Sequence, residues 1–164
     1  MILIKNVLVA TDFSEPSDAA LHYGREFART FNATLHVLHV VDNVTLQYGV
    51  ESYGAMLPDL QQEIESAART TLDGLLNEED RAALHAQPAI VTGAAKAAAI
   101  VAHANEHHID LIVMGTHGRG AVSRLLMGSV AERVVRTATC PVLTVHHPEH
   151  ECLAPDALVA VARV

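Results

Sequence analysis

Short apolar runs of strand type alternate with longer segments of helical period along nearly the whole chain, and few folds accommodate that order. Ile2 to Ala10 reads as a first strand ending in the polar pair Thr11-Asp12. Ser14 follows as a helix N-cap, with Glu15 and Pro16 suited to the first turn. The helix after it sets Ala20, Gly24, Phe27, Ala28 and Phe31 on one face. Thr34 to Val41 is a second strand, and Asp42 to Ala55 mixes Asn, Gly, Tyr and Ser without period, so it reads as a loop. Leu57 to Leu76 is predicted helical, and Ala83 to Val91 a third strand in which Pro88 points to an edge position or an irregularity. Ala94 to His108 is an alanine-rich helix. Leu111 to Met114, Ser129 to Thr139 and Val142 to Val145 complete the series as strand, helix and strand. Repeated β–α order predicts one α/β domain: a single doubly wound, five-stranded, mainly parallel sheet with helices on both faces. Ligands in such sheets bind beyond the C-terminal ends of the strands, where the strand order reverses.

Composition supports this class and excludes others. Half of the 164 residues are apolar but only 4% are aromatic, so the core is built from Val, Leu, Ile and Ala, as parallel sheets require. The formal charge of −8 argues against a nucleic-acid-binding surface, which is normally basic. No apolar run approaches the ~18 residues of a membrane span, so no membrane partner is expected. Met1-Ile-Leu-Ile-Lys5 lacks a basic region and a cleavage site and runs into the first strand, unlike a signal peptide. Two cysteines, Cys140 and Cys152, suggest no disulfide framework, and a cytoplasmic location is the expectation.

The segment after the fourth strand carries the most chemistry. Gly115-Thr-His-Gly118-Arg-Gly120 breaks the strand, and Gly128-Ser129-Val130 restarts the chain as a helix. Glycines let backbone N–H groups approach phosphate oxygens, and a helix N-terminus adds unpaired donors with roughly half a positive charge. A Walker loop needs Lys before its Ser or Thr, and Ser129 follows Gly128, so that reading fails. Gly118-Arg-Gly120-Ala-Val-Ser123 supplies only two glycines of a Rossmann fingerprint. The spacing present is Gly-x2-Gly-x9-Gly-Ser, from Gly115 through Gly118 to Gly128 and Ser129.

With the trailing Val130-Ala-Glu-Arg-Val134 and Cys140-Pro141-Val-Leu-Thr-Val145, this motif resembles the nucleotide-binding branch of the universal stress protein family. Asn6-Val-Leu-Val-Ala-Thr11-Asp12-Phe13-Ser14 and Leu38-His39-Val40-Val41-Asp42 resemble the same family. The resemblance covers roughly residues 3 to 146, giving a nucleotide-binding domain over 1–146 and a C-terminal extension over 147–164. It implies strand order 3-2-1-4-5, and an adenine nucleotide (ATP, AMP or ADP, with Mg²⁺ able to accompany ATP). The implied contacts are Ala10, Thr11 and Asp12 at the first strand end, Val40 in the second strand, and Met114 and Gly115 at the fourth. His117, Gly118 and Arg119 follow in the loop, then Gly128, Ser129 and Val130 at the helix start. Asp12 would hold the nucleoside and the Val40 backbone the adenine edge. The alternative for Asp12 is a cap for the next helix alone, and for Gly128-Ser129 a plain turn with Ser129 as N-cap.

Eleven histidines raise the question of a metal. His103 and His107 lie four apart on one predicted helix, but Glu106 precedes the second histidine where a zinc-protease motif has Glu after the first. His146-His147-Pro-Glu-His150-Glu-Cys152 is a denser set. Solvated helix-end and tail histidines are the expectation, with no metal ligand. Nothing in the sequence marks a catalytic residue, a general base or an acidic pair for Mg²⁺. The reading is therefore a cytoplasmic universal-stress-type protein that binds ATP or AMP. It would act as a regulatory or chaperone-like homodimer, toward a protein partner whose identity the residues do not specify. A slow ATPase or a phosphoryl or nucleotidyl transferase on the same loop is the rival, and a nucleotide-free structural dimer the third reading. The dimer is expected along Val142–Val145, a short apolar strand at a sheet edge.

Overall fold

The computed structural model describes residues 2–48, 57–116 and 127–146. The described elements are β1 (Asn6–Thr11), α1 (Glu15–Phe31), β2 (Thr34–Asp42), α2 (Val44–Tyr48), α3 (Leu57–Leu75) and α4 (Glu78–Ala83). They continue as β3 (Gln87–Gly93), α5 (Lys96–Glu106), β4 (Leu111–Gly115), α6 (Ser129–Thr137) and β5 (Val142–Val145). The five strands form one sheet in the order β3-β2-β1-β4-β5, and every pairing is parallel. That is the predicted class and order. Among the described helices, none is long and apolar enough to cross a membrane.

Alternation along the buried strands sorts side chains into two layers. Val7, Val9, Leu35, Val37, Leu111 and Val113 face α1 and α3, where Ala20, Leu21, Ala28 and Leu72 meet them. Leu8, Ala10, Leu38, Val40, Ile112 and Met114 face α5 and α6, against Ala97, Ile100, Ala104, Ala131 and Val134. Each fully buried Val or Leu of this kind contributes about 1.5–3 kcal/mol of hydrophobic burial.

Several predicted boundaries move, each for a physical reason. The first strand starts at Asn6 rather than Ile2. The Asp110 carboxylate takes the Lys5 and Asn6 amides at 2.7 and 2.9 Å there, and Ile2 is 81% exposed with no strand partner among the described residues. On α1 the buried stripe is Ser17, Ala20, Leu21, Gly24 and Ala28, while Phe31 stays 37% exposed. The helix approaches β1 most closely at Gly24, where a Cβ would stand 2.2 Å from Val9 Cγ2. The predicted loop after β2 contains α2, held where Gln61 Oε1 accepts the Val44 amide at 3.0 Å; residues 49–56 lie outside the described residues.

Ala83, predicted to open the third strand, instead ends α4. Asn77 and Asp80 cap that helix reciprocally, with Asp80 N donating to Asn77 Oδ1 at 2.8 Å and Asn77 N to Asp80 Oδ2 at 3.0 Å. Asp80 is 0% exposed, and Arg25 grips both its carboxylate oxygens at 2.8 and 2.7 Å while also reaching the Leu75 carbonyl. Burial alone would raise the Asp80 pKa, but the hydrogen bonds from Arg25 and the Asn77 backbone, with the charges of Arg25 and Arg29, hold it below the usual carboxylate value. β3 begins at Gln87 and is an edge strand, as Pro88 suggested. Helix α5 is shorter at both ends than predicted. It closes where His108 turns left-handed at φ 50° and the Ile109 amide reaches back to the Ala104 carbonyl at 2.8 Å.

At the other edge, β4 pairs only one side of β5. Ile112 N donates to Pro141 O at 3.0 Å and Thr116 N to Val145 O at 2.9 Å. In a parallel ladder with this register the Leu143 backbone also faces β4, so the N–H and C=O groups of Val142 and Thr144 point away from the sheet.

Candidate functional site

The strand order reverses between β1 and β4, whose C-terminal ends lie side by side with Ala10 opposite Met114. The side chains of Ala10 and Met114 are buried toward α5 and α6 and form the floor there. Thr11 pairs with His39 of β2, and Gly115 with Val145 of β5, so four strand ends converge on one crevice. This is where a doubly wound sheet leaves room for a ligand.

Beyond β1 the chain turns sharply into α1 through a closed hydrogen-bond network. Ser17 Oγ donates to the Ser14 carbonyl at 2.8 Å and accepts the Ser14 amide at 3.0 Å, so the Thr11 hydroxyl donates to it at 3.0 Å. Thr11 Oγ1 in turn accepts the Phe13 amide at 3.0 Å. Asp12 Oδ1 accepts both the amide and the hydroxyl of Ser14. The capping role weighed for Asp12 is thus present, and Ser14 is the N-cap of α1, as predicted. Phe13 adopts φ 62°, a conformation that bulky residues rarely hold. Its ring stacks on His39 with centroids 4.2 Å apart and an interplanar angle of 25°. His39 Nδ1 sits 2.8 Å from the Thr11 carbonyl, which can only accept, so Nδ1 carries the proton. The Phe13–His39 stack needs β1 and β2 side by side, which no local sequence pattern reveals.

Gly115 is required by packing as much as by any ligand. A Cβ there would lie 2.9 Å from Pro16 Cβ and 3.0 Å from the Pro16 carbonyl carbon and oxygen. The first turn of α1 therefore rests directly on the end of β4. His117, Gly118 and Arg119 lie outside the described residues, but Thr116 and Gly128 on either side are described. The Gly128 amide donates to the Thr116 carbonyl at 2.7 Å, joining the start of α6 to the end of β4, and the Thr116 hydroxyl lies 2.7 Å from His146 Nδ1. Gly128 is the N-cap of α6 at φ −61° and ψ 146°, and Ser129 is the first helical residue rather than the cap. Ser129 is exposed and Val130 packs against the α5–α6 layer. The first-turn amides of α6 have no intrahelical acceptor and carry the positive end of the helix dipole, a setting for an anion. Val40 is buried in β2 on the α5 side, one residue beyond the His39 ring. The rim is closed by Lys96 Nζ to Asp42 Oδ2 at 3.0 Å, and by Thr92 Oγ1 donating to Glu65 at 2.6 Å. That bond, with one from Gln61, holds Glu65 below its ordinary pKa.

A profile of the universal stress protein family matches residues 3–146. The chain belongs to the universal stress protein family. Universal stress protein MJ0531 of Methanocaldococcus jannaschii is 34% identical over 151 residues, covering 91% of this chain and 86% of that protein. The solved structure of the hypothetical protein MJ0577 superposes at a TM-score of 0.73 with 25% identity, covering 91% of this chain and all of the other. The universal stress protein from Archaeoglobus fulgidus solved in complex with dAMP shares the fold at a TM-score of 0.60 and 23% identity over 88% of this chain and 99% of its own.

One expectation fails away from the crevice. His103 is not a solvated helix-end residue: it is 8% exposed, with its ring centroid 4.1 Å from that of His107 and 6.4 Å from that of His36. Burial, then the neighbouring His107 and His103, push the His36 pKa down to about 4. Burial followed by the His107 charge lowers His103 as well. The tail set from His147 to Cys152 lies outside the described residues.

Proposed function

We propose that this universal stress protein binds an adenine nucleotide in the crevice between β1 and β4 and acts in the stress response as a regulatory or chaperone-like homodimer. The observation that carries the reading is the Gly128 amide on the Thr116 carbonyl. It returns the glycine segment to the strand end where the sheet order reverses, with the N-terminus of α6 beside it. Phosphate oxygens would be met by backbone N–H groups of the 115–130 segment and the start of α6, including those of Gly115, Gly118 and Gly128 to Val130. His117 and Arg119 would contribute through their backbone. Asp12 and the Val40 backbone would address the nucleoside, over the floor of Ala10, Thr11 and Met114. ATP, ADP and AMP share this chemistry, and Mg²⁺ would arrive with the phosphates of ATP.

The outward N–H and C=O groups of Val142 and Thr144 support a dimer in which β5 pairs with its own copy about a two-fold axis. A cytoplasmic site of action and a C-terminal extension over 147–164 complete the proposal. Mass spectrometry of small molecules released from natively purified protein, with calorimetric titration of ATP, ADP and AMP, tests the nucleotide reading. A co-purified adenine nucleotide or micromolar affinity is expected. Neither ligand nor heat with any of the three at millimolar concentration would overturn it, and steady ATP turnover well above background would favour the transferase or ATPase class.

A further inference from the structure

We propose that His36, His103 and His107 form a binding site for one first-row divalent transition ion of the zinc type, at the end of the sheet opposite the glycine loop. One potential ligand nitrogen from each ring lies within 4.8 Å of the other two. His103, in the last turn of α5, and His107, its C-cap residue, are four residues apart, and their ring centroids lie 4.1 Å apart. His36 comes from the start of β2 on the sheet face that α5 covers, with its centroid 5.6 Å from His107 and 6.4 Å from His103. Local sequence shows only the pair; the third ligand is supplied by a strand more than sixty residues away.

The second observation is an orphaned polar atom. His103 Nε2 is buried with no hydrogen-bond partner, the one such side-chain atom among the described residues. Buried polar groups are nearly always satisfied, and a nitrogen left bare inside the protein needs an explanation. A metal ion supplies one. Zinc–imidazole bonds are about 2.0–2.1 Å, so tetrahedral ligand nitrogens stand roughly 3.4 Å apart, and the three nitrogens here already lie within 4.8 Å of one another. His36 and His103 are 5% and 8% exposed, which excludes competing water, while His107 faces solvent and leaves the fourth position open to water or an exogenous ligand. An all-imidazole set favours Zn²⁺, Cu²⁺, Ni²⁺ or Co²⁺ over Mg²⁺ and Ca²⁺. The negative end of the α5 dipole adds attraction for a cation. His36 lies four residues before Val40 along β2, about 13 Å, so this site shares no ligand with the nucleotide crevice. Metal there would pin the end of α5 to β2.

The test uses the full chain, purified without a metal-affinity tag and stripped with a chelator. Zn²⁺ is titrated in competition with a chromophoric chelator at neutral pH, and Co²⁺ is used as a spectroscopic probe. One Zn²⁺ per chain with submicromolar affinity is expected, with intense visible Co²⁺ bands of a four-coordinate site. His107→Ala, at a solvent-facing position, and His36→Leu, an apolar replacement inside, should each weaken Zn²⁺ by at least about a hundredfold. Both should retain wild-type circular dichroism, and His107→Ala alone decides the matter if His36→Leu misfolds. A full-length variant carrying His147→Ala, His150→Ala and Cys152→Ser should bind as tightly as wild type. Absence of Zn²⁺ binding in the wild type, undiminished affinity in His107→Ala, or loss of binding in the tail variant would each overturn the proposal.

Discussion

Gly115 and Gly128 belong to one motif but are held by different forces, and the pair of substitutions Gly115→Ala and Gly128→Ala separates them. A methyl on Gly115 would meet Pro16 Cβ at 2.9 Å and its backbone carbonyl at 3.0 Å. Comfortable carbon contacts begin near ~3.5 Å, so the two must part by roughly 0.5–1 Å. Pro16 cannot yield by a rotamer change, because its ring is fixed and its turn is locked by the Ser14–Ser17 hydrogen bonds. Overpacking of this kind costs about 1–3 kcal/mol. Gly128, at φ −61° and ψ 146°, sits where any L-residue is comfortable, and losing a glycine N-cap costs under ~1 kcal/mol. With a urea slope of about 2 kcal/mol per molar, Gly115→Ala should lower the unfolding midpoint by roughly 0.5–1.5 M, and Gly128→Ala much less. Calorimetry on the same variants should find nucleotide binding weakened in both. In one the first turn of α1 is displaced, and in the other a methyl obstructs backbone approach. A wild-type midpoint for Gly115→Ala, or a larger loss for Gly128→Ala, would refute the packing argument.

Arg25→Met should destabilise the protein by about 3–5 kcal/mol at neutral pH, since it strands the buried Asp80 carboxylate; an unfolding free energy within 1 kcal/mol of wild type would contradict this. Because the folded Asp80 pKa is depressed, its stabilisation is complete at neutral pH. It should fade as pH falls below about 4 and through the folded value, giving a wild-type acid limb that Asp80→Asn flattens in pH-dependent urea melts. Asp12→Ala should lose ~1.5–3 kcal/mol of nucleotide affinity, roughly 10- to 150-fold, while Asp12→Asn keeps the Ser14 acceptor but not the charge; an unchanged dissociation constant for Asp12→Ala leaves the residue a turn former. Thr144→Pro removes an outward N–H and should yield a folded monomer by light scattering. Leu143→Pro removes an amide facing β4 and should damage the fold itself; a wild type strictly monomeric at micromolar concentration ends the dimer reading.

Much of the architecture was legible because it is written in local periodicity. Five apolar runs separated by helical segments mark the strands of a parallel sheet, and the break at Gly115 and restart near Gly128 mark the glycine segment that returns to the strand end. The short helix α4 was legible in principle from Asn77 and Asp80, a capping pair that a search for apolar period passes over. Other features had no local signature. Ile2 looks like strand but has no strand partner among the described residues, and Phe31 has the right spacing but, as the last residue of α1, stays 37% exposed. The Phe13–His39 stack and the Arg25–Asp80 grip each join segments distant along the chain, as does His36 meeting His103 and His107. Periodicity tells which face of an element is apolar. Which side chain from a remote segment stands opposite it, and at what distance, depends on how closely the layers pack, and only the tertiary structure decides that.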